Sequence, residues 1–136
     1  MKNFEFLEHT ADAKFRAYGK TLEQAFSNAA IAMSSIIYPP EKVKPKIKKE
    51  INISGNDYYS LLYNFLEELL FLLDSEEFIL SKIENLKIKN NNLSAVLFGD
   101  KASNYNVEGY VKAVTYNEME IKKTKDKFIV QVVVDL

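Results

Sequence analysis

The stretch Leu61-Leu-Tyr-Asn-Phe-Leu-Glu-Glu-Leu-Leu-Phe-Leu-Leu73 is the most informative part of this 136-residue sequence for the fold. Its leucines and Phe65 recur at steps of three and four residues, the pattern of a helix with one wide apolar face. We therefore predict a largely buried helix that ends at Asp74-Ser75. Asn56 or Asp57, just before it, can cap its first turn because their side chains accept from free backbone N–H groups.

A second amphipathic helix is predicted upstream. Thr21-Leu-Glu-Gln24 has the form of a capping box, in which Thr21 accepts from the third helical N–H and Gln24 reaches back. Pro39-Pro40 should stop the helix because neither proline can continue the hydrogen-bond ladder. Its apolar positions again follow steps of three and four residues: Leu22, Ala25, Phe26, Ala29, Ala30, Met33, Ile36 and Ile37.

The rest of the chain is typical of short strands. We predict strands around Phe4 and Phe6, around Phe15 and Ala17, over Ile47, Ile51 and Ile53, and at residues 78–88, 93–98, 107–116, 119–123 and 128–134. Residues 90–92, 117–118 and 124–127 are short connections, which join antiparallel neighbours, and residues 99–106 form a longer loop. The predicted fold class is α+β: one domain, residues 1–136, in which two amphipathic helices pack on antiparallel β-sheets.

The composition indicates a globular domain, with 47% hydrophobic residues and a formal net charge of −1. No cysteine is present, which excludes a disulfide framework, a thiolate nucleophile and a cysteine zinc site. The amino-terminal residues lack the basic start and continuous apolar stretch of a signal peptide. The longest apolar run in a predicted helix, Leu69 to Leu73, is far shorter than the roughly 20 residues of a membrane span. We expect a soluble cytoplasmic protein without a membrane partner.

One basic cluster, Lys42-Val-Lys-Pro-Lys-Ile-Lys-Lys49, raises the question of nucleic-acid binding. No aromatic residue is interleaved with these lysines, and the whole chain has no basic excess. We interpret the cluster as a solvated loop that enters an edge strand, where lysine discourages unwanted pairing. An RNA-binding patch is the alternative. The scattered glycines form no phosphate-binding loop.

Carboxylates are the groups best suited to a functional site. Asp135 ends the last predicted strand beside the α-carboxylate of Leu136, and two such anions repel each other unless a cation or proton intervenes. Asp12 lies in the polar segment Glu8-His-Thr-Ala-Asp12, between two predicted strands. If Asp12 joined them, the oxygen cluster would suit Ca²⁺, Mg²⁺ or Mn²⁺. The alternative is that Asp135 pairs with a lysine and that Asp12 is a turn residue or a helix cap.

Several blocks of the sequence, in order along the whole chain, resemble the archease family. They are an amino-terminal block with the start of the first helix, the second helix, and two closing strand blocks: Glu8-His-Thr-Ala-Asp-Ala-Lys-Phe-Arg-Ala-Tyr-Gly19 with Thr21-Leu-Glu-Gln-Ala-Phe26 and Ala29-Ala-Ile-Ala-Met33, then Leu61-Leu-Tyr-Asn-Phe-Leu-Glu-Glu-Leu-Leu-Phe71, Val111-Lys-Ala-Val-Thr-Tyr116, and Gln131-Val-Val-Val-Asp-Leu136. Together they are far more specific than any single block.

The resemblance implies an accessory protein and not an enzyme. Archeases act beside the GTP-dependent RNA-splicing ligase of the RtcB type, promoting guanylylation of a ligase histidine and multiple turnover. The partner implied is therefore this ligase, with tRNA or other RNA served indirectly through it. By position, the resemblance also implies a divalent metal site at Asp12, Asp135 and Leu136, the last through terminal or main-chain oxygens. Ca²⁺ is favoured in the isolated protein, with Mg²⁺ and Mn²⁺ as the other cations.

This sequence departs from the family's usual pattern at four positions outside that predicted metal set. An Asp in the second helix, an acid before the closing strands, a His after Thr-Tyr and a Trp in the last hairpin are replaced respectively by Asn64, Tyr110, Asn117 and Phe128.

Two other functions are kept as alternatives. One is a metal-dependent phosphoester hydrolase that uses the same carboxylates, with His9 as general base. His9 is the only histidine, and no serine or cysteine arrangement gives it an obvious nucleophile to activate. The other is a chaperone-like or RNA-binding module acting through residues 42–49.

Overall fold

A computed structural model gives the structure of residues 1–9 and 12–136. In this part of the chain, seven strands form two antiparallel sheets, with strand orders β1-β2-β7-β6 and β3-β5-β4. The strands and the two α-helices follow one another as β1 (Phe4–Leu7), β2 (Ala13–Gly19), α1 (Leu22–Ile37), β3 (Ile47–Ser54), α2 (Tyr58–Glu76), β4 (Phe78–Lys89), β5 (Asn92–Lys101), β6 (Ala113–Lys123) and β7 (Phe128–Asp135). The predicted α+β class is confirmed. Neither of these helices is long and apolar enough to cross a membrane.

Helix α1 begins and ends where the sequence predicts. Thr21 Oγ1 accepts a hydrogen bond from the backbone N–H of Gln24 at 3.0 Å. The Gln24 side chain accepts from the N–H of Lys20 at 2.7 Å, one residue earlier than in the predicted capping box. The helix ends at Ile37, immediately before Tyr38 and the two prolines.

Helix α2 starts as predicted but is longer than predicted. Asp57 is the cap, and its side chain accepts from the N–H of Ser60 at 2.8 Å. The helix continues through Asp74 and Ser75 to Glu76, so the predicted end was wrong. Ser75 lies in the last turn of the helix, where its hydroxyl donates to the carbonyl of Phe71 at 2.7 Å. Glu77 stops the helix instead, with a left-handed φ of 56°.

The core lies between the helices and the inner faces of the two sheets. Helix α1 packs mainly on β2 and β4, and α2 packs mainly on β6 and β4. The largest fully buried side chains of this core come from the helices and from both sheets: Phe15, Phe26, Met33, Leu61, Leu62, Phe65, Leu66, Leu93, Leu97, Val130 and Val132. One interior therefore connects the two sheets.

Strand β5 runs further than predicted, into residues expected to form a loop. Gly99 pairs with Ile47 on one side and Leu80 on the other. A Cβ atom on Gly99 would lie 2.0 Å from the carbonyl oxygen of Ile79. This glycine therefore permits a close approach of two strands and does not mark a loop.

Strand β6 replaces two shorter strands that the sequence predicted. Its pairing with β7 is interrupted between Thr115 and Glu120, so residues 116–119 form a bulge inside one strand and residues 117–118 are not a hairpin turn. Glu118 has a left-handed φ of 53° there. Residues 107–112 are not a strand, and Gly109 in this segment lies against the end of α1. A Cβ atom on Gly109 would lie 1.8 Å from the carbonyl oxygen of Ile36.

A buried carboxylate at the end of β5 predicts a pH dependence of stability. Asp100 accepts from the Lys101 N–H at 2.9 Å, the Asn104 amide at 3.2 Å and the Tyr105 hydroxyl at 2.8 Å. These hydrogen bonds hold the pKa of the Asp100 carboxyl below its ordinary value. The bond from the Lys101 N–H contributes most, and those from Tyr105 and Asn104 add to it. This stabilisation is complete above the unfolded-state pKa of about 3.9 and is lost as the pH falls through the folded-state pKa.

We expect Asp100→Asn to lower the free energy of unfolding at neutral pH and to flatten its decline in acid. Urea unfolding of both proteins between about pH 2 and pH 7 measures this difference. Curves that run parallel below about pH 4 would contradict the assignment.

Candidate metal site

The pairing of β2 with β7 brings Asp12 and Asp135 to the same end of one sheet. The two strands pair antiparallel, from Gly19 opposite Phe128 to Ala13 opposite Val134. Asp12 and Asp135 come next along each strand, so the same register sets them opposite each other. Opposite residues of an antiparallel pair face the same side, with Cβ atoms about 4.5–5.5 Å apart. The fold thus joins two carboxylates that are far apart in sequence.

Strand β6 pairs with β7 on the side away from β2 and holds the end of β7 in place. Asp135 pairs with Ala113, and its carbonyl oxygen accepts from the N–H of Lys112 at 2.8 Å. The N–H of Val114 donates to Glu67 of helix α2 at 2.7 Å, which anchors the start of β6 to the core. Leu136 follows Asp135 and is exposed. Since the Asp135 carbonyl already accepts a hydrogen bond, Leu136 is the better source of main-chain oxygen for a ligand.

The two aspartates lie on the sheet face that points away from the helices. Side chains alternate along a strand, and Phe15 of β2 and Val134 of β7 are in the core. Asp12 and Lys14 are an odd number of residues from Phe15, and Asp135 is next to Val134. The side chains of Asp12, Lys14 and Asp135 therefore point to the opposite face of the sheet. A ligand at this strand end is therefore approached from outside the protein.

His9 lies beside Asp12 and is tied to β6. Its Nε2 is 2.8 Å from Oε2 of Glu118, and the other oxygen of Glu118 accepts from Lys14 at 3.1 Å. Its Nδ1 is 3.8 Å from Oδ2 of Asp12. This Nδ1 atom is buried and has no hydrogen-bond partner among the described residues.

Glu118 is a site residue that the sequence did not reveal. Its carboxylate crosses β7 to reach His9 and Lys14, which belong to the opposite flank of the sheet. The hydrogen bond to His9, followed by that to Lys14, holds the pKa of Glu118 below its ordinary value, so the group is an anion at neutral pH. The sequence predicted a turn at residues 117–118, and a bulge leaves no comparable signal.

The alternative interpretation was that Asp135 pairs with a lysine and that Asp12 is a turn residue or a helix cap. Asp12 lies in a bend just before β2, as a turn residue would. Asp12 precedes a strand, so it is not a helix cap. None of the ion pairs formed among the described residues involves Asp135, and Lys14, close by, is paired with Glu118. The two carboxylates therefore face each other without a lysine or arginine partner in that part of the chain.

The oxygen atoms at this strand end are of the chemical type that hard divalent cations bind. Carboxylate and main-chain oxygens are the ligands that Ca²⁺, Mg²⁺ and Mn²⁺ prefer. Within residues 1–9 and 12–136, no group of three or more His, Asp or Glu side chains is arranged to hold a metal ion. Asp12 and Asp135 would thus need main-chain oxygen from Leu136, or water, to complete a coordination shell.

The four departures from the family pattern play other roles or none. Asn64 donates to the carbonyl of Ser54 at 2.9 Å, which ties α2 to the end of β3. Asn117 is in the β6 bulge and Tyr110 is exposed. Phe128 is the first residue of β7 and Asp135 is the last, so Phe128 is far from the candidate site.

The basic cluster enters an edge strand, as interpreted from the sequence. Strand β3 is the edge of the three-stranded sheet. Lys49 pairs with Glu76, and Lys48 lies next to Phe98 in the register. This aromatic neighbour comes from β5, so the linear sequence could not show it.

Fold and site together define a class: a small α+β protein with a pair of carboxylates at the exposed end of an antiparallel sheet. The family model described as the Archease protein family (MTH1598/TM1083) matches residues 4–136. This chain belongs to the archease family. The resemblance on which the sequence analysis relied is confirmed.

Related proteins and solved structures match over almost their whole length. The chain is 42% identical to Protein archease of Pyrobaculum islandicum, over 98% of this chain and 95% of that protein. It is 41% identical to Protein archease of Sulfurisphaera tokodaii, over all of both chains. The solution structure of Methanobacterium thermoautotrophicum protein 1598 matches with a TM-score of 0.86 at 36% identity, over 100% of both chains.

A crystal structure from Thermotoga maritima, described as an archease and possible chaperone, has the same fold. It matches with a TM-score of 0.62 at 19% identity, over 96% of this chain and 94% of that one.

Proposed function

We propose that this protein activates an RtcB-type RNA-splicing ligase in the cytoplasm, by promoting guanylylation of the ligase with GTP and its multiple turnover. It does so through a divalent cation held at the strand end by Asp12, Asp135 and Leu136. Membership of the archease family supports the accessory role. The single structural observation that supports the site is the β2–β7 register, which sets the two aspartates opposite each other.

The residues at the strand end hold and present the cation. A divalent cation bound here would supply charge neutralisation for phosphate oxygens during GMP transfer. Asp135 is rigid because β6 and β2 pair with β7 on both sides. Asp12 comes from the segment that leads into β2, and Leu136 is exposed at the edge. A ligase can therefore reach the site without any opening of the core.

tRNA and other RNAs would be served through the ligase. RNA binding by this protein itself is not required for guanylylation.

Guanylylation measured without RNA tests the proposal. Purified ligase is incubated with radiolabelled GTP and Mn²⁺ or Mg²⁺, with and without this protein, and covalent ligase–GMP is quantified. We expect this protein to increase the guanylylation rate and, when RNA ends are added, to allow more than one ligation per ligase. Equal rates with and without the protein would contradict the activator role. Hydrolysis of a phosphate ester by the protein alone, lost in Asp12→Ala, would support the hydrolase alternative instead.

A further inference from the structure

We propose that His9 is an additional ligand of the strand-end cation site and that Glu118 is the positioning residue that orients it. The inference rests on the proposed site at Asp12 and Asp135. It adds one nitrogen donor to a set that otherwise contains only oxygen. Within residues 1–9 and 12–136 the side chains of His9, Asp12 and Asp135 are not already gathered around one point, so the side chain of Asp135 would move toward the other two when a cation binds.

The two ring nitrogens of His9 have different surroundings. Nε2 lies 2.8 Å from a carboxylate oxygen of Glu118, which can only accept a hydrogen bond when ionised. The ring proton is therefore held on Nε2, and the lone pair of the neutral ring is on Nδ1. Nδ1 is the buried atom without a hydrogen-bond partner in the described chain, and it lies 3.8 Å from Oδ2 of Asp12.

This arrangement is the one in which histidine binds metals in proteins. A ligating histidine usually donates its other ring N–H to a carboxylate, which fixes its tautomer and orientation. Two donors about 2.1 Å from one ion are at most about 4.2 Å apart, so Nδ1 of His9 and Oδ2 of Asp12 can share a cation. A bound cation also gives the buried Nδ1 atom the partner that it lacks.

Glu118 is held in place from several directions. Its second carboxylate oxygen accepts from Lys14 at 3.1 Å, so both oxygens have a partner. Its backbone has a left-handed φ of 53° in the bulge of β6, a conformation that costs free energy in a residue with a side chain. The bulge aims this side chain across β7 toward His9. The strained backbone is thus explained by what the carboxylate contacts.

A nitrogen donor changes which cation the site prefers. Carboxylate and main-chain oxygens suit Ca²⁺, Mg²⁺ and Mn²⁺ alike, but Mn²⁺ is a first-row transition metal that also binds imidazole nitrogen, whereas Ca²⁺ takes oxygen ligands. We therefore expect His9 to raise the affinity for Mn²⁺ much more than the affinity for Ca²⁺.

Because His9 is the only histidine, its ligation can be observed directly. Pulsed electron paramagnetic resonance of the Mn²⁺-loaded protein should show coupling to an imidazole nitrogen, absent in His9→Gln. Titration calorimetry should give a Mn²⁺ affinity about tenfold or more lower in His9→Gln, with Ca²⁺ affinity changed less than about threefold. NMR of the metal-free protein should show the ring proton on Nε2.

Glu118→Ala tests the positioning role. The ring of His9 should then lose its fixed tautomer, and Mn²⁺ affinity should fall about tenfold. Glu84→Ala is the matched control, because Glu84 is an exposed glutamate paired with Lys82 on the other sheet. It should change neither the His9 spectrum nor the Mn²⁺ affinity.

Separate outcomes would overturn the two proposals. Mn²⁺ binding that depends on Asp12 and Asp135 but shows no nitrogen coupling would remove His9 from the site and leave the site standing. A protein that binds neither Mn²⁺ nor Ca²⁺ would overturn both. An unchanged His9 tautomer and Mn²⁺ affinity in Glu118→Ala would refute the role of Glu118.

Discussion

Replacing Asp135 with asparagine should reduce ligase guanylylation in the presence of this protein to the rate of the ligase alone. The substitution would keep the size of the side chain and the pairing of β7 but would remove half of the carboxylate pair with Asp12. One neutral amide oxygen binds a hard cation far more weakly than a carboxylate does. Without added metal, the variant should be at least as stable as the wild type, because the two carboxylates no longer repel each other.

Asp126→Asn is the matched control for this experiment. Asp126 is exposed in the connection between β6 and β7, at the end of β7 far from the site. Asp126→Asn changes the net charge by the same amount as Asp135→Asn, so a general electrostatic effect on ligase binding would appear in both variants. Full stimulation by Asp135→Asn would contradict the proposed role of the strand end.

Replacing Phe65 with alanine should be among the most destabilising single substitutions in the protein. Phe65 is fully buried on helix α2, at the apolar face that packs on the sheets. Truncation of a buried phenylalanine removes its transfer free energy and leaves a cavity, which together cost about 3–5 kcal/mol. Urea unfolding at neutral pH measures the loss as a lower midpoint.

Phe71→Ala is the same substitution on the exposed side of the same helix. The side chain of Phe71 is 59% exposed, so its truncation should change the free energy of unfolding by less than about 0.5 kcal/mol. If both variants lost similar free energy, the face of α2 that packs in the core would be wrongly assigned.

The helices and most strands could be predicted from the sequence because their signals are local. The apolar period of α2 and the caps at Thr21 and Asp57 depend on neighbouring residues only, and the structure confirms them. Asn90 and Asn91 have left-handed backbones, as expected of the turn between β4 and β5. The errors arose where the wider fold decides the local structure. Gly99 is in a strand because β4 and β3 both approach it closely.

The site shows the same division between local and long-range information. Asp12 and Asp135 could be nominated from the sequence as carboxylates at strand ends. Their position opposite each other could not, since it depends on a register between the two ends of the chain. Glu118 escaped notice because its role comes from a bulge that sends its side chain across a neighbouring strand.

The central claim is that the carboxylates of Asp12 and Asp135 form one cation site, and titration calorimetry with Mn²⁺ and Ca²⁺ tests it most directly. The wild-type protein and Asp126→Asn should each bind a single divalent ion per chain, whereas Asp12→Asn and Asp135→Asn should each lose at least about tenfold in affinity. Equal affinity in all four proteins, or no binding by the wild type, would contradict the account.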